Sequence, residues 1–234
     1  MAVLRNRRTG ATWRAELTCA ILLTLTACAH PGQLATDNHR STVDLEGYNA
    51  NLAAGPAPKV AITTAWYGDS YVALGAWGTW FPGSENDGVG GNTIAQVTAR
   101  AQSAQSIPTV YVWCGLNDMM ADHSYPQITS DYTALVTLLQ SRGAQVICLS
   151  PLPPGGQFPA DLDCMALAPA SVAQLCQIEQ GVAQQFGAQW IDLRPAVIDA
   201  DGWCNRAYVM PCGLHLDAAG YSLVVPVIRG WGIA

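Results

Sequence analysis

Trp66-Tyr67-Gly68-Asp69-Ser70-Tyr71 decides how the rest of the chain is read. It follows Val60-Ala61-Ile62-Thr63-Thr64-Ala65, a short apolar, β-branched run behind a Pro/Gly-rich lead-in, which predicts a buried strand. Gly68 and Asp69 turn the chain, and Ser70 falls where the strand hands over to a helix. In an open parallel sheet that is the carboxyl edge, where ligands bind. Two uses of Ser70 stand open at this point. It is a nucleophile, or it belongs with Asp69 to ordinary turn and helix-cap chemistry.

The clusters that follow bear on that choice. Tyr71–Trp77 is apolar and reads as a helix despite Gly75. Next comes Asn86-Asp87-Gly88-Val89-Gly90-Gly91-Asn92-Thr93, a loop whose glycines allow positive φ and close backbone approach. Asn92 or Thr93 can cap a helix over Ile94–Ser106, whose Ile94, Val97, Ala101 and Ala104 share one face. A backbone N–H from such a turn is a ready donor to a developing oxyanion, although a loop that merely needs glycine reads the same way. Thr109–Trp113 is the next strand, and Cys114-Gly115-Leu116-Asn117-Asp118 stands at its carboxyl end. There Asn117 either offers its amide to negative charge or bonds its own turn.

Ser130–Arg142 reads as a helix, Gln145–Ser150 as a strand, Pro151–Pro159 as a loop and Pro169–Phe186 as a helix, with Gln189–Leu193 as the fifth strand. Strands alternating with helices predict an α/β three-layer sandwich on a five-stranded parallel sheet, wound in the flavodoxin-like order. The last cluster is Cys212-Gly213-Leu214-His215-Leu216-Asp217, ahead of a helix over Ala218–Arg229. Asp217 suits that helix as N-cap, and His215 sits just outside it, where its ring can reach across the sheet edge.

The N-terminal segment reads differently. Arg5, Arg7, Arg8 and Arg14 precede an apolar stretch, Leu17–Ala27, that is too short to span a bilayer and suits a signal peptide. Leu25-Thr26-Ala27-Cys28 resembles the lipobox of bacterial lipoproteins, which implies cleavage before Cys28 and lipidation of its thiol. The expected organisation is therefore residues 1–27 as signal peptide, 28–58 as a polar tether and 59–234 as the folded domain. Without the four Arg and one Glu of residues 1–27, seven cations face sixteen acids, a net charge of −9. Such a body argues against nucleic acid and against anionic lipid surfaces, so any membrane association runs through the lipid alone.

Export also shapes the reading of the cysteines. Cys164 with Cys176, and Cys204 with Cys212, are close in sequence and are expected as disulfides, while Cys114 and Cys148 at strand ends are expected as buried thiols. No zinc-type spacing occurs, so neither a metal nor another cofactor is expected.

Taken together, Gly68-Asp69-Ser70, then Asn86-x-Gly88-x-x-Gly91-Asn92-Thr93, then Gly115-x-Asn117-Asp118, then Gly213-Leu214-His215 resembles the four blocks of the SGNH, or GDSL, hydrolases. The resemblance runs from about Val60 to Arg229. It implies Ser70 as nucleophile, His215 as general base, and an oxyanion hole made by the N–H groups of Ser70 and Gly91 with the Asn117 amide. One departure stands out. The family's last block reads D-x-x-H, and this chain has Cys212 where the Asp belongs.

The expected activity is hydrolysis of carboxylic, short-acyl esters by an exported, lipid-anchored, monomeric enzyme of the bacterial cell envelope, acting on small-molecule or carbohydrate esters. The alternatives are a carbohydrate O-acyltransferase and an inactive carbohydrate-binding lipoprotein. In the latter, aromatics such as Trp66, Tyr67, Tyr71, Trp77 and Trp113 would stack on sugar, although core packing suits most of them.

Overall fold

A computed structural model describes residues 61–156 and 167–231. The signal segment, the tether with Cys28, and Cys164 lie outside the described residues.

Five strands form one parallel sheet: β1 (Thr64–Gly68), β2 (Ser84–Gly88), β3 (Thr109–Trp113), β4 (Gln145–Leu149) and β5 (Gln189–Ile191). Their order, β2-β1-β3-β4-β5, is the expected flavodoxin-like winding. The helices are α1 (Ser70–Ala73), α2 (Trp77–Trp80), α3 (Ile94–Ser103), α4 (Leu116–Met120), α5 (Tyr125–Ser141), α6 (Pro169–Gln185), α7 (Arg194–Val197) and α8 (Ala218–Gly230). Among them α3 packs on α5, α5 on α6, and α7 on α8.

The central strands are legible for a plain reason. β1, β3 and β4 are buried along almost their whole length, so they read as continuous apolar runs rather than alternating ones. The core is heavily aromatic around β1. The Trp66 ring lies between Trp77, with centroids 3.7 Å apart, and Tyr111, at 4.1 Å, nearly parallel to both.

Two expectations need correction. Asn86, Asp87 and Gly88 do not belong to the glycine loop but to the edge strand β2, which pairs with β1 from Thr64↔Ser84 to Gly68↔Gly88. It carries no apolar side chain, so hydropathy gives no strand signal. Its Asn86 donates to Val72 O at 3.0 Å and Gly75 O at 3.1 Å, closing carbonyls at the end of α1. A Cβ at Gly88 would collide with the backbone of Val72 and Ala73, so glycine is what lets α1 lie against β2.

The second correction concerns the cysteines. Cys176 and Cys204 are buried free thiols, like Cys114 and Cys148, so neither expected pairing exists. Cys176 sits on the inward face of α6 and its thiol donates to Pro151 O at 3.4 Å. Cys204 is buried in the core at a bridge to Ile198. Both are buried. No disulfide joins two of the described residues, and Cys212 is the one described cysteine that is not a free thiol.

Smaller shifts have local causes. The helix after Ser70 breaks into α1 and α2 at Gly75, against which the Trp77 indole lies too closely for any side chain. α5 starts before Ser130 because Ser124 caps it, accepting from Gln127 N at 3.3 Å, and Pro126 suits its first turn.

Candidate active site

The site is built on strand ends. Gly68 ends β1, and a Cβ there would strike Trp113 O and the Val72 side chain. The turn after it is closed by Asp69, which accepts from Tyr71 N at 3.0 Å and starts α1 with Ser70 as first residue. Ser70 therefore does not cap the helix; Asp69 does. That frees the Ser70 hydroxyl, which is largely buried at 9 % exposure.

His215 arrives from the other end of the chain. Its segment bridges antiparallel to Val209 through Leu216, Met210 N donates to His215 O at 2.8 Å, and Asp217 caps α8 by accepting from Gly220 N. Tyr71 locks this segment to the nucleophile turn. Its hydroxyl donates to Leu214 O at 2.6 Å, while the Tyr221 hydroxyl of α8 donates to Tyr71 O at 2.6 Å. The outcome is a 2.8 Å contact between His215 Nε2 and Ser70 Oγ, joining residues 145 positions apart. On the other side of the ring, Nδ1 lies 3.6 Å from Cys212 Sγ. Burial holds the imidazole's pKa down at about 4, so it is neutral at pH 7.

A serine hydroxyl on a strand-end turn, with its proton facing a neutral imidazole nitrogen, is the geometry of a base-activated nucleophile. A model of the GDSL-like lipase/acylhydrolase family matches residues 47–223. The chain belongs to that family. It is accordingly an ester-cleaving hydrolase. Similar folds include a GDSL-like lipase from Bacteroides thetaiotaomicron at 19% identity and TM-score 0.62, covering 76% of this chain and 90% of that one. An acetylxylan esterase, Axe2 from Geobacillus stearothermophilus, is 16% identical with TM-score 0.58, covering 74% and 95%. The acetyl xylan esterase AlAXEase is 18% identical with TM-score 0.56, covering 73% and 99%. No curated protein matches the chain.

In this GDSL-like hydrolase the remaining blocks converge on the same edge. The glycine loop is fastened by Val89 N to Gly68 O and Asn92 N to Val89 O, with Gly91 at φ +78° between them. Gly90 lies against Ser70, where an added Cβ would be 3.8 Å from the serine Cβ. Asn117 donates its side-chain amide to Asn92 O at 3.0 Å and to Asp69 Oδ2 at 3.2 Å, so it knits the second and third blocks to the first. Asp118 is fully buried and accepts from Ile94 N at 2.9 Å, at the start of α3, and meets His123 Nδ1 at 3.1 Å.

Other parts of the site were not named from sequence. Arg100 of α3 donates to Gly68 O at 2.9 Å, to Asp87 O at 2.8 Å and to Asn92 Oδ1, tying the ends of β1 and β2 to the glycine loop. Tyr71, whose apolar surroundings in sequence suggest core packing or a sugar platform, is instead a clamp on the histidine segment. Trp66, Tyr67, Tyr71, Trp77 and Trp113 are all at most 2 % exposed, so none presents a ring face to a sugar. Asp118, His123 and Asp131 bring possible metal-ligating atoms within 4.8 Å of one another. Asp118 is already engaged by Ile94 N and His123, and Asp131 accepts from Gln127 Nε2.

Proposed function

We propose that the protein hydrolyses carboxylic esters of short acyl groups through an acyl-enzyme on Ser70. The observation that carries this reading is the 2.8 Å contact of Ser70 Oγ with His215 Nε2. As Oγ attacks the ester carbonyl, its proton passes to Nε2. The imidazolium then returns that proton to the departing alkoxide, and the ester C–O bond breaks to leave the acyl group on Ser70. Water, deprotonated by the same nitrogen, cleaves the acyl-serine bond, so ester and water give acid and alcohol.

The N–H groups of Ser70 and Gly91 and the Asn117 amide form the oxyanion hole. Asn117 joins by sharing the hydrogen of its longer bond, the 3.2 Å one to Asp69. Cys212 stands in the place of the family's aspartate, so no carboxylate at that position balances the imidazolium. Acetylated sugars are the substrates to try first, because two of the similar folds act on acetylxylan. The lipobox-like Leu25-Thr26-Ala27-Cys28 supports an exported enzyme held to the membrane by lipid on Cys28, and Cys28→Ser should release it to the soluble exported fraction.

The test is a fluorophosphonate probe with a panel of short and long p-nitrophenyl esters, on wild type and Ser70→Ala. Labelling on Ser70 and turnover of the short esters, both lost in the variant, support the reading. A folded wild type that takes no label and turns over none of them refutes it.

A further inference from the structure

We infer that Cys212 is a positioning residue that sets the tautomer of His215, and that it does so because its sulfur is oxidised. The inference rests on the serine-hydrolase reading above and adds to it what decides whether the base can act.

A neutral imidazole carries one hydrogen, on Nδ1 or on Nε2, and the partner of one nitrogen settles the choice for the other. At His215 the Nε2 side is ambiguous. The Ser70 hydroxyl 2.8 Å away can donate to a bare nitrogen or accept from a protonated one. Only the first arrangement lets His215 take the serine proton. The decision therefore falls to Nδ1, whose partner is Cys212 Sγ at 3.6 Å.

Four of the five described cysteines are free thiols, and Cys212 is the exception, being disulfide-bonded. A sulfur bonded to carbon and to a second sulfur has no hydrogen, so it can accept and never donate. Facing it, Nδ1 keeps the hydrogen and Nε2 stays bare. A Cys212 thiol would be able to donate to Nδ1, moving the ring hydrogen to Nε2, where it points at Ser70 Oγ and blocks proton transfer.

The other contacts of this segment do not make that choice. Met210 N to His215 O and Tyr71 Oη to Leu214 O fix the backbone, not the ring hydrogen. Among the described residues Ser70, Tyr71 and Cys212 are the groups facing the ring, Tyr71 edge-on at 6.0 Å, and no carboxylate is among them. The sulfur thus supplies orientation without the countercharge a carboxylate would add, and burial alone sets the ring's low affinity for a proton.

The experiment compares wild type, Cys212→Ala and Cys212→Asp before and after a water-soluble trialkylphosphine. The phosphine, one disulfide and water give the phosphine oxide and two thiols. Nitrogen-15 spectra of the histidines, with His215 assigned by His215→Gln, report the tautomer. Fluorophosphonate labelling of Ser70 reports the base, and thermal melting shows that each sample is folded.

Unreduced wild type should hold the hydrogen on Nδ1. Reduction should bring up the Nε2–H form and slow labelling by roughly tenfold or more, a wrong tautomer being costly in such sites. Cys212→Asp lacks the disulfide but accepts from Nδ1. It should ignore the phosphine, label faster than Cys212→Ala, and show an acid limb of kcat/KM raised above that of wild type. If reduction leaves both tautomer and labelling unchanged, or if the Asp and Ala variants are equally slow, the sulfur is only a brace and the inference is overturned. A folded, unreduced wild type that takes no label overturns the hydrolase reading itself and the inference with it. Labelling at the same rate in both redox states overturns the inference alone.

Discussion

Asn117 reaches Asp69 Oδ2 across 3.2 Å, so the turn that carries the nucleophile and the turn after β3 are one hydrogen-bonded unit. Asp69 is fully buried. Desolvation, with the nearby Asp118 carboxylate adding to it, pushes its pKa up to about 7, against the bond from Tyr71 N and the charge of Arg100. Whether Asp69 is charged decides how firmly it holds the Asn117 amide.

A bell-shaped pH dependence follows. His215 has to be neutral to take the serine proton, so kcat/KM should rise as pH passes about 4. Above about 7 Asp69 ionises, draws the amide from the oxyanion and sets a buried negative charge beside it, so activity should fall. Asp69→Asn should lower the plateau, since its own amide meets that of Asn117, yet stay flat through pH 7–9. A wild-type profile that keeps rising past pH 8 would rule out this role for Asp69.

Tyr71→Phe tests the clamp on the histidine segment. It removes the 2.6 Å bond to Leu214 O and leaves a carbonyl unpartnered, at a cost of about 1–3 kcal/mol. With Leu214 loosened, His215 moves relative to Ser70. We expect kcat to drop on the order of tenfold or more with KM little changed. Steady-state kinetics beside a denaturant melt separate the two effects, and an unaltered kcat would show that the clamp does not position the base.

Gly68→Ala should be among the most damaging small substitutions. Its Cβ would meet Trp113 O and Val72 Cγ2, one a backbone atom and the other on the helix that carries the nucleophile. Overpacking of this kind typically costs about 1–3 kcal/mol, occasionally more. Gly143→Ala offers a contrast: the space there is open, and only its φ of +80° opposes a side chain. Chemical denaturation should rank Gly68→Ala well below Gly143→Ala.

How much of this was legible depended on whether the signal was local. β3 and β4 announce themselves because both their faces are buried. Asp217 as the cap of α8 needs only its neighbours, and so does Ser70 after a glycine turn. β2 was invisible because Ser-Glu-Asn-Asp-Gly owes its strand geometry to pairing with β1 and to Asn86 capping another element. The Tyr71–Leu214 bond spans 143 positions and leaves no periodic trace. The cysteine pairings failed for a related reason. Closeness in sequence says nothing about which face of α6 holds Cys176, or that Cys204 lies inside the core.

Glu179 provides the last prediction, on stability rather than activity. It is fully buried on α6, its Oε1 lies directly against Gly115, and neither carboxylate oxygen has a hydrogen-bond partner among the described residues. Burial first, then the charges of Asp118 and Asp69, raise its pKa well above the usual carboxylate value. The folded protein therefore keeps the Glu179 proton where the unfolded chain has lost it. The group's contribution is fully present below the unfolded value, near 4.3, and is lost as pH rises toward the folded one. Glu179→Gln keeps the shape and cannot ionise, so it should be close to neutral at pH 4–5 and increasingly stabilising above. Melting temperatures of the two proteins from pH 4 to 9 should diverge with rising pH, the variant higher. Curves that run parallel would mean that Glu179 does not hold its proton in the fold.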